Sequence, residues 1–280
     1  MIQKNFQYKN TTIAYTVIGK GNTIILLHGF GETSATFIHQ INFLKKHFQL
    51  IIPDIPGSGK SSLLKVSATK NNNDLVKYPT EISDYADCIK LLLEYENIEQ
   101  CIMLGHSMGG YITLAFAEKY QNNLKGFGLL HSTAFADNAT KKENRMRSIE
   151  MIEAYGGYSF LKNVIPTYFG EKYKAEHAAT INEFIKAATH YEKDALQQYY
   201  FAMMNRPDRT NVLSKANIPI LFIIGEEDIA APMQDMLQQS KLPQLSYVHI
   251  LKNTGHMGMW EATENVNNYL LSFCTDVFKF

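Results

Sequence analysis

Leu104-Gly105-His106-Ser107-Met108-Gly109-Gly110 is the stretch that decides the fold. An apolar run over 101–104 leads into it and a helical pattern over 111–120 follows. A serine at G-x-S-x-G spacing between a strand and a helix is a nucleophile elbow. Each position has a physical reason. The chain must reverse sharply, so Gly105 and Gly109 remove side chains that would clash in the turn. Ser107 is then held in a strained backbone conformation with its hydroxyl above the sheet edge. The free N–H groups at the start of the next helix face any negative charge that develops there.

Outward from this elbow, further apolar runs cover 23–27, 50–52, 126–130 and 218–224, with a less uniform one over 245–251. Continuous apolar runs suit strands buried on both faces of a parallel sheet. Helical patterns over 82–95 and 264–273 alternate with them. A hairpin precedes them: 6–8 and 12–17 alternate in the strand period, with Lys9-Asn10 as its turn. The fold class is therefore α/β, a doubly wound, mostly parallel sheet. One segment breaks the alternation. Residues 135–212 contain no convincing strand and carry helical patterns, clearest over 145–155 and 178–204. That is too long for one crossover, so it reads as a helical insertion above the sheet. The expected division is a core of 1–134 and 213–280 with a helical cap over 135–212. The short polar loop Lys70-Asn71-Asn72-Asn73-Asp74 lies between two core elements.

A serine hydroxyl needs a base, and the base needs a carboxylate. Two later segments offer them, each after a strand and so at the same edge of the sheet. Gly225-Glu226-Glu227-Asp228 offers three acids, and Asn253-Thr254-Gly255-His256-Met257 offers a histidine. Of the nine histidines, only His256 stands in a glycine-flanked loop after the last strand. His28 and His106 sit at strand ends, where packing or hydrogen bonds should hold them. An oxyanion needs two aimed N–H donors. Met108 N–H, next after the serine, is one. Phe30 N–H, in the turn Leu27-His28-Gly29-Phe30-Gly31, is the other.

Composition sets the remaining bounds. The chain has 280 residues, 45% of them hydrophobic, so a large core is feasible. Lys and Arg number 27 and so do Asp and Glu, which argues against a general electrostatic grip on nucleic acid. The longest apolar runs fall far short of the roughly 20 residues of a membrane span. Cys88, Cys101 and Cys274 are odd in number with no CxxC spacing, which suggests reduced thiols and a cytoplasmic location. No residue pattern calls for a metal or an organic cofactor. The segment Gly57-Ser58-Gly59-Lys60-Ser61 imitates a phosphate-binding loop, but the first glycine such a loop needs is replaced by Asp54.

With these pieces in place the chain resembles the α/β-hydrolase superfamily. The matching residues are His28-Gly29-Phe30-Gly31, the turn from Asp54 through Pro56-Gly57-Ser58-Gly59 to Ser61, Gly105-His106-Ser107-Met108-Gly109-Gly110, Gly225-Glu226-Glu227-Asp228 with Pro232, and Gly255-His256. They run in the family's order over 27–256. The resemblance implies a Ser107 nucleophile, a His256 base and an Asp228 acid, with Asp137 the alternative acid. It also implies a cap between the sixth and seventh strands, as in small esterases, lactonases and carbon–carbon bond hydrolases. Haloalkane dehalogenases and epoxide hydrolases of this fold use an aspartate where Ser107 stands, so both are unlike this chain. The implied activity is cleavage of a small carboxylic ester through an acyl-enzyme. A lactone, a thioester or a C–C bond is the alternative target for the same triad, and a small-ligand receptor on a hydrolase scaffold is the alternative from another class. His131, Phe135 and Trp260 are the expected pocket residues, under a cap rich in tyrosine. The expected partner is a small ester or related carbonyl compound, with neither nucleic acid nor membrane. Nothing in the sequence fixes the oligomeric state.

Overall fold

The computed structural model describes residues 2–65 and 76–279. The polar loop expected over 70–74 lies outside the described residues. Eight strands form one sheet: β1 (Ile2–Tyr8), β2 (Thr11–Ile18), β3 (Thr23–Leu27), β4 (Gln49–Pro53), β5 (Cys101–His106), β6 (Leu124–Leu130), β7 (Ile220–Gly225) and β8 (Ser246–Leu251). Their order is β1-β2-β4-β3-β5-β6-β7-β8. The β1–β2 and β2–β4 pairs are antiparallel, and every pair from β4 through β8 is parallel. The hairpin turns at Lys9, in the left-handed region at φ 51°.

Strand alternation divides the core into two layers. Ile25, Leu27, Met103, Phe127 and Phe222 pack into one cluster, whereas Ile24, Leu26, Ile102, Leu104 and Leu221 pack into the other. Helices cover both faces, which is why the central strands are apolar throughout. In chain order they are α1 (Ile38–Leu44), α2 (Ile82–Tyr95) and α3 (Met108–Tyr120). Next come α4 (Ala139–Tyr155), α5 (Gly157–Val164), α6 (Glu171–Glu176), α7 (Ala178–Ala187), α8 (Lys193–Met204) and α9 (Thr210–Lys215). Last are α10 (Met233–Gln239), α11 (Gly258–Glu261) and α12 (Thr263–Val277). Edge strand β8 leaves Val248 and Ile250 exposed, which explains its mixed sequence.

Two expectations need adjustment. The helix expected over 178–204 is two helices, because Tyr191 and Glu192 take extended backbone after α7. Tyr191 reaches from that break to donate its hydroxyl hydrogen to Glu32 O. Helix α3 starts at Met108, earlier than its apolar pattern suggests, because Gly109 and Gly110 belong to its first turn.

Between β6 and β7 there are six helices, α4 to α9, and no strand among the described residues. Three contacts anchor them over the carboxyl ends of the strands. Tyr191 holds the loop after β3, Tyr199 donates to Pro56 O at 2.7 Å after β4, and Gly170 N donates to Glu261 Oε2 at 2.7 Å beyond β8. Among the described residues no helix is long and apolar enough to cross a membrane.

Candidate active site

Ser107 stands between β5 and α3 with φ 50° and ψ −116°, a conformation costly for any residue with a side chain. The surroundings force it. A Cβ on Gly105 would come within 2.3 Å of Gly109 O, and one on Gly109 within 2.2 Å of Leu27 O. The elbow is therefore pressed onto β3 so closely that only glycine fits. Ser107 N donates to Leu130 O at 3.0 Å, and the Ser132 hydroxyl donates to Ser107 O at 2.7 Å.

The loops after β7 and β8 meet beside it. His256 Nδ1 lies 2.8 Å from Asp228 Oδ2. Oδ1 of the same carboxylate accepts from Ala230 N and Ala231 N, each at 2.9 Å. Of the three acids in that segment only Asp228 reaches a histidine. Glu226 accepts from Asn253 N, and Glu227 from Glu171 N. Asp137 is held instead by Arg145 and Arg206. Burial works against charge on His256, but Asp228, with Glu32 and Glu261 further off, outweighs it and holds the imidazole pKa above its ordinary value. Burial also opposes charge on Asp228, yet His256 and the hydrogen bond from His131 hold it well below the usual carboxylate range.

Ser107 and His256 line one cavity of about 330 Å³ together with Phe30, Tyr111, Tyr168 and Tyr200. Neither Phe30 N–H nor Met108 N–H has an acceptor within the chain among the described residues. Both therefore remain available to a ligand beside Ser107. Gly29 explains how the Phe30 loop comes so near, since a Cβ there would stand 3.0 Å from Ser107 Cβ.

The three expected pocket residues lie elsewhere. His131 is fully buried behind Asp228, its Nδ1 3.1 Å from Oδ2, because its left-handed backbone (φ 50°) turns it under the β7 loop. Phe135 borders a neighbouring cavity beside Arg206. Trp260 is drawn away by its Nε1–H, which donates to Thr36 O at 2.8 Å, and it lines an apolar cavity between α7 and the loop after β3. His131, Asp228 and His256 are also close enough to resemble a metal site. Both Nδ1 atoms, however, point at the same carboxylate oxygen, the arrangement of two donors on one acceptor.

The comparisons with known proteins agree with this fold. Residues 22–155 match the family model described as the alpha/beta hydrolase fold. The chain has the alpha/beta hydrolase fold. It is 28% identical over 260 residues to Lipase 1 of Psychrobacter immobilis, covering 89% of this chain and 76% of the lipase. It is 23% identical to the (E)-2-((N-methylformamido)methylene)succinate hydrolase of Acinetobacter baylyi, covering 95% and 96%. A thermophilic esterase from Thermogutta terrifontis superposes with a TM-score of 0.89 at 23% identity, over 99% of both chains.

Within this α/β hydrolase, two features of the site escape the sequence. The first is Glu32, buried beside the elbow. Its Oε2 accepts from Gly29 N at 2.9 Å and lies 3.0 Å from His106 Nδ1. His106 Nε2 is 2.9 Å from His256 O, which can only accept, so that nitrogen carries a hydrogen. Burial would raise the Glu32 pKa, but His106 and the Gly29 N–H outweigh it and hold it below the usual range. The pair thus ties the Phe30 loop to the His256 loop by way of the elbow. The second is Glu261, which accepts from Gly170 N, Gly255 N and Met257 N. It fixes the His256 loop against the inserted helices. Position in the sequence offered one cue to the first, since Glu32 directly follows the Gly29–Gly31 turn. For the second there was none.

Proposed function

We propose that the chain is a serine hydrolase that cleaves a small carboxylic ester. The observation that carries this reading is one arrangement: a strained Ser107 at the strand–helix turn, sharing a cavity with His256, whose Nδ1 is 2.8 Å from a buried Asp228. The lipase and esterase likenesses support it. Residues 135–212 act as a cap over this cavity, and their contacts with Glu32, Pro56 and Glu261 support that division from the core. The buried free thiols are compatible with a reducing, cytoplasmic setting.

In this reading the Ser107 hydroxyl attacks the ester carbonyl as His256 Nε2 takes its proton. Asp228 fixes the tautomer by accepting from Nδ1–H and stabilises the imidazolium as it forms. The Phe30 and Met108 N–H groups bind the oxyanion, each donor contributing on the order of 10²–10³ in turnover. The imidazolium protonates the departing alkoxide, leaving an acyl-Ser107 ester. Water, deprotonated by His256, attacks that ester and releases the acid. A lactone or thioester meets the same groups in the same order.

The test is initial-rate hydrolysis of p-nitrophenyl esters with acyl chains of roughly two to twelve carbons, with Ser107→Ala beside the parent protein. Turnover should fall by several orders of magnitude in the variant, because triad members act as a unit. Activity within tenfold of the parent would remove Ser107 from the mechanism. No turnover by a folded parent across the series would favour a ligand receptor or a narrower bond type.

A further inference from the structure

Helix α4 changes character along one side. Ile149 and Ile152 are buried, and the helix packs along α8. Lys141, Asn144 and Arg145, at i, i+3 and i+4, precede them along the same side and line the cavity that holds Ser107 and His256. An inserted helix closing over an apolar pocket would be expected to carry apolar residues there. This one carries two cations.

The charge around them does not balance. Arg145 Nε pairs with Asp137, and its Nη1 rests 3.6 Å from Met203 Sδ. Arg206 Nη1 pairs with the same Asp137 at 2.9 Å. Two guanidinium groups therefore share one fully buried carboxylate, which leaves one positive charge in excess. Aromatic faces hold them in place, Tyr200 at 5.5 Å from Arg145 and Tyr111 at 3.9 Å from Arg206. Lys141 Nζ has no ion-pair partner among the described residues. Asp208 and Asp235 border the adjoining cavity with Lys141 and Arg206, but no ion pair joins them. Among the described residues Glu32 is the one acid on the wall of the Ser107 cavity, and His106 and Gly29 N already occupy it.

We infer that the substrate carries a carboxylate of its own, apart from the scissile ester, and that Lys141 and Arg145 on α4 read it. The inference rests on the cavity being the ester-cleaving site proposed above and names the substrate class for it. Arg145, pinned by Asp137 and stacked by Tyr200, is pre-organised to offer its remaining N–H groups in a fixed plane, which suits a carboxylate. Lys141, half-exposed at the first turn of α4, adds a mobile charge. Asn144 lies between them and supplies a neutral donor. An anion there satisfies the excess charge without drawing Asp137 away from its two arginines.

The experiment compares monomethyl with dimethyl esters of linear dicarboxylic acids of roughly four to eight carbons, followed by acid release in a pH-stat. The two series share a skeleton and differ by one charge. At the matching chain length, kcat/KM for the monoester should exceed that for the diester by on the order of tenfold to a hundredfold. That ratio should fall about tenfold in Lys141→Met and in Arg145→Met, and it should shrink with added salt. Lys141→Met keeps the test decisive if Arg145→Met fails to fold. Ser107-dependent hydrolysis with the diester equal or better at every length would overturn the inference while leaving the esterase reading intact. So would an unchanged ratio in Lys141→Met. If no ester is turned over, calorimetry of Ser107→Ala with succinate, glutarate and adipate decides separately. Binding that weakens in Ser107→Ala/Lys141→Met supports the anion site without the esterase, and the absence of binding to all three overturns it.

Discussion

His131→Leu removes one of the four hydrogen bonds that hold Asp228, and its effect can be worked out from the contacts. Burial pushes the His131 pKa down to about 4, so the ring is neutral and its Nδ1–H donates to Oδ2, the oxygen that also faces His256. A hydrogen bond to a charged group contributes about 1.5–3 kcal/mol. Without it the carboxylate has one donor fewer, and its charge acts more strongly on His256. If the whole loss passed into that interaction, the His256 pKa would rise by about one to two units. Ala230 N and Ala231 N still hold Oδ1, so a rise of about one unit is expected, below that ceiling. The base must be neutral to act, so the acidic limb of kcat/KM should move up in pH by that amount. The assay is the pH–rate profile of p-nitrophenyl butyrate hydrolysis over about pH 5 to 9. His131→Asn is the control. Its amide N–H can replace Nδ1–H, and asparagine tolerates the left-handed backbone at this position (φ 50°). The control should return the limb to the parent position. A limb that stays put or moves down in a folded His131→Leu would refute the idea that His131 tunes the pair.

Three further outcomes are expected. In the parent protein the acidic limb should lie above about pH 6.5, because Asp228 and the more distant acids hold the His256 pKa above its ordinary value. Since that pKa is raised on folding, the stability that His256 contributes is fully present below about pH 6.5 and fades as pH climbs through the raised value, which urea midpoints against pH will show. Glu261→Gln keeps one oxygen for three backbone donors and turns an NH₂ toward another; unfolding free energy should fall by about 1–3 kcal/mol, with faster hydrogen exchange at Gly255 and Met257. An unchanged stability would mean that Glu261 does not clamp the loop. Burial pushes the Cys101 thiol up to about 12 and raises Cys88 and Cys274 as well, so a thiol reagent should label none in the native protein and three after unfolding.

The fold was legible because its determinants are local. Thr23–Leu27 reads as a buried strand from five residues, and Gly105 and Gly109 announce a turn that backbone crowding then demands. The candidate residues Ser107, Asp228 and His256 were legible because each follows a strand, and strand ends in a parallel sheet share an edge. What stayed hidden depends on direction. His131 also follows a strand and was expected to face the pocket, yet a left-handed φ turns it behind Asp228. Trp260 looked like a pocket aromatic, and its N–H was drawn to Thr36 O, a partner far away in the chain. A run of residues states which element a side chain sits on. It does not state which way a buried donor will be pulled.

The same difference explains why the proposed substrate class was unreadable in the sequence while the proposed reaction was readable. The proposed reaction rests on groups placed by backbone, namely the elbow, two loop ends and two N–H donors. The proposed substrate preference rests on the side of α4 that carries Lys141, Asn144 and Arg145. In the sequence those residues look like an ordinary solvated helix surface. Only the placement of α4 over Ser107 makes them a wall, and only the sharing of Asp137 between Arg145 and Arg206 gives that wall an excess charge. An element that is hydrophilic by composition and faces inward by topology is a place where sequence pattern and burial disagree. Arg145, its side chain only 19% exposed on that wall, has a desolvation cost that core packing does not repay. In this hydrolase fold that cost is offset when a bound anion completes the site.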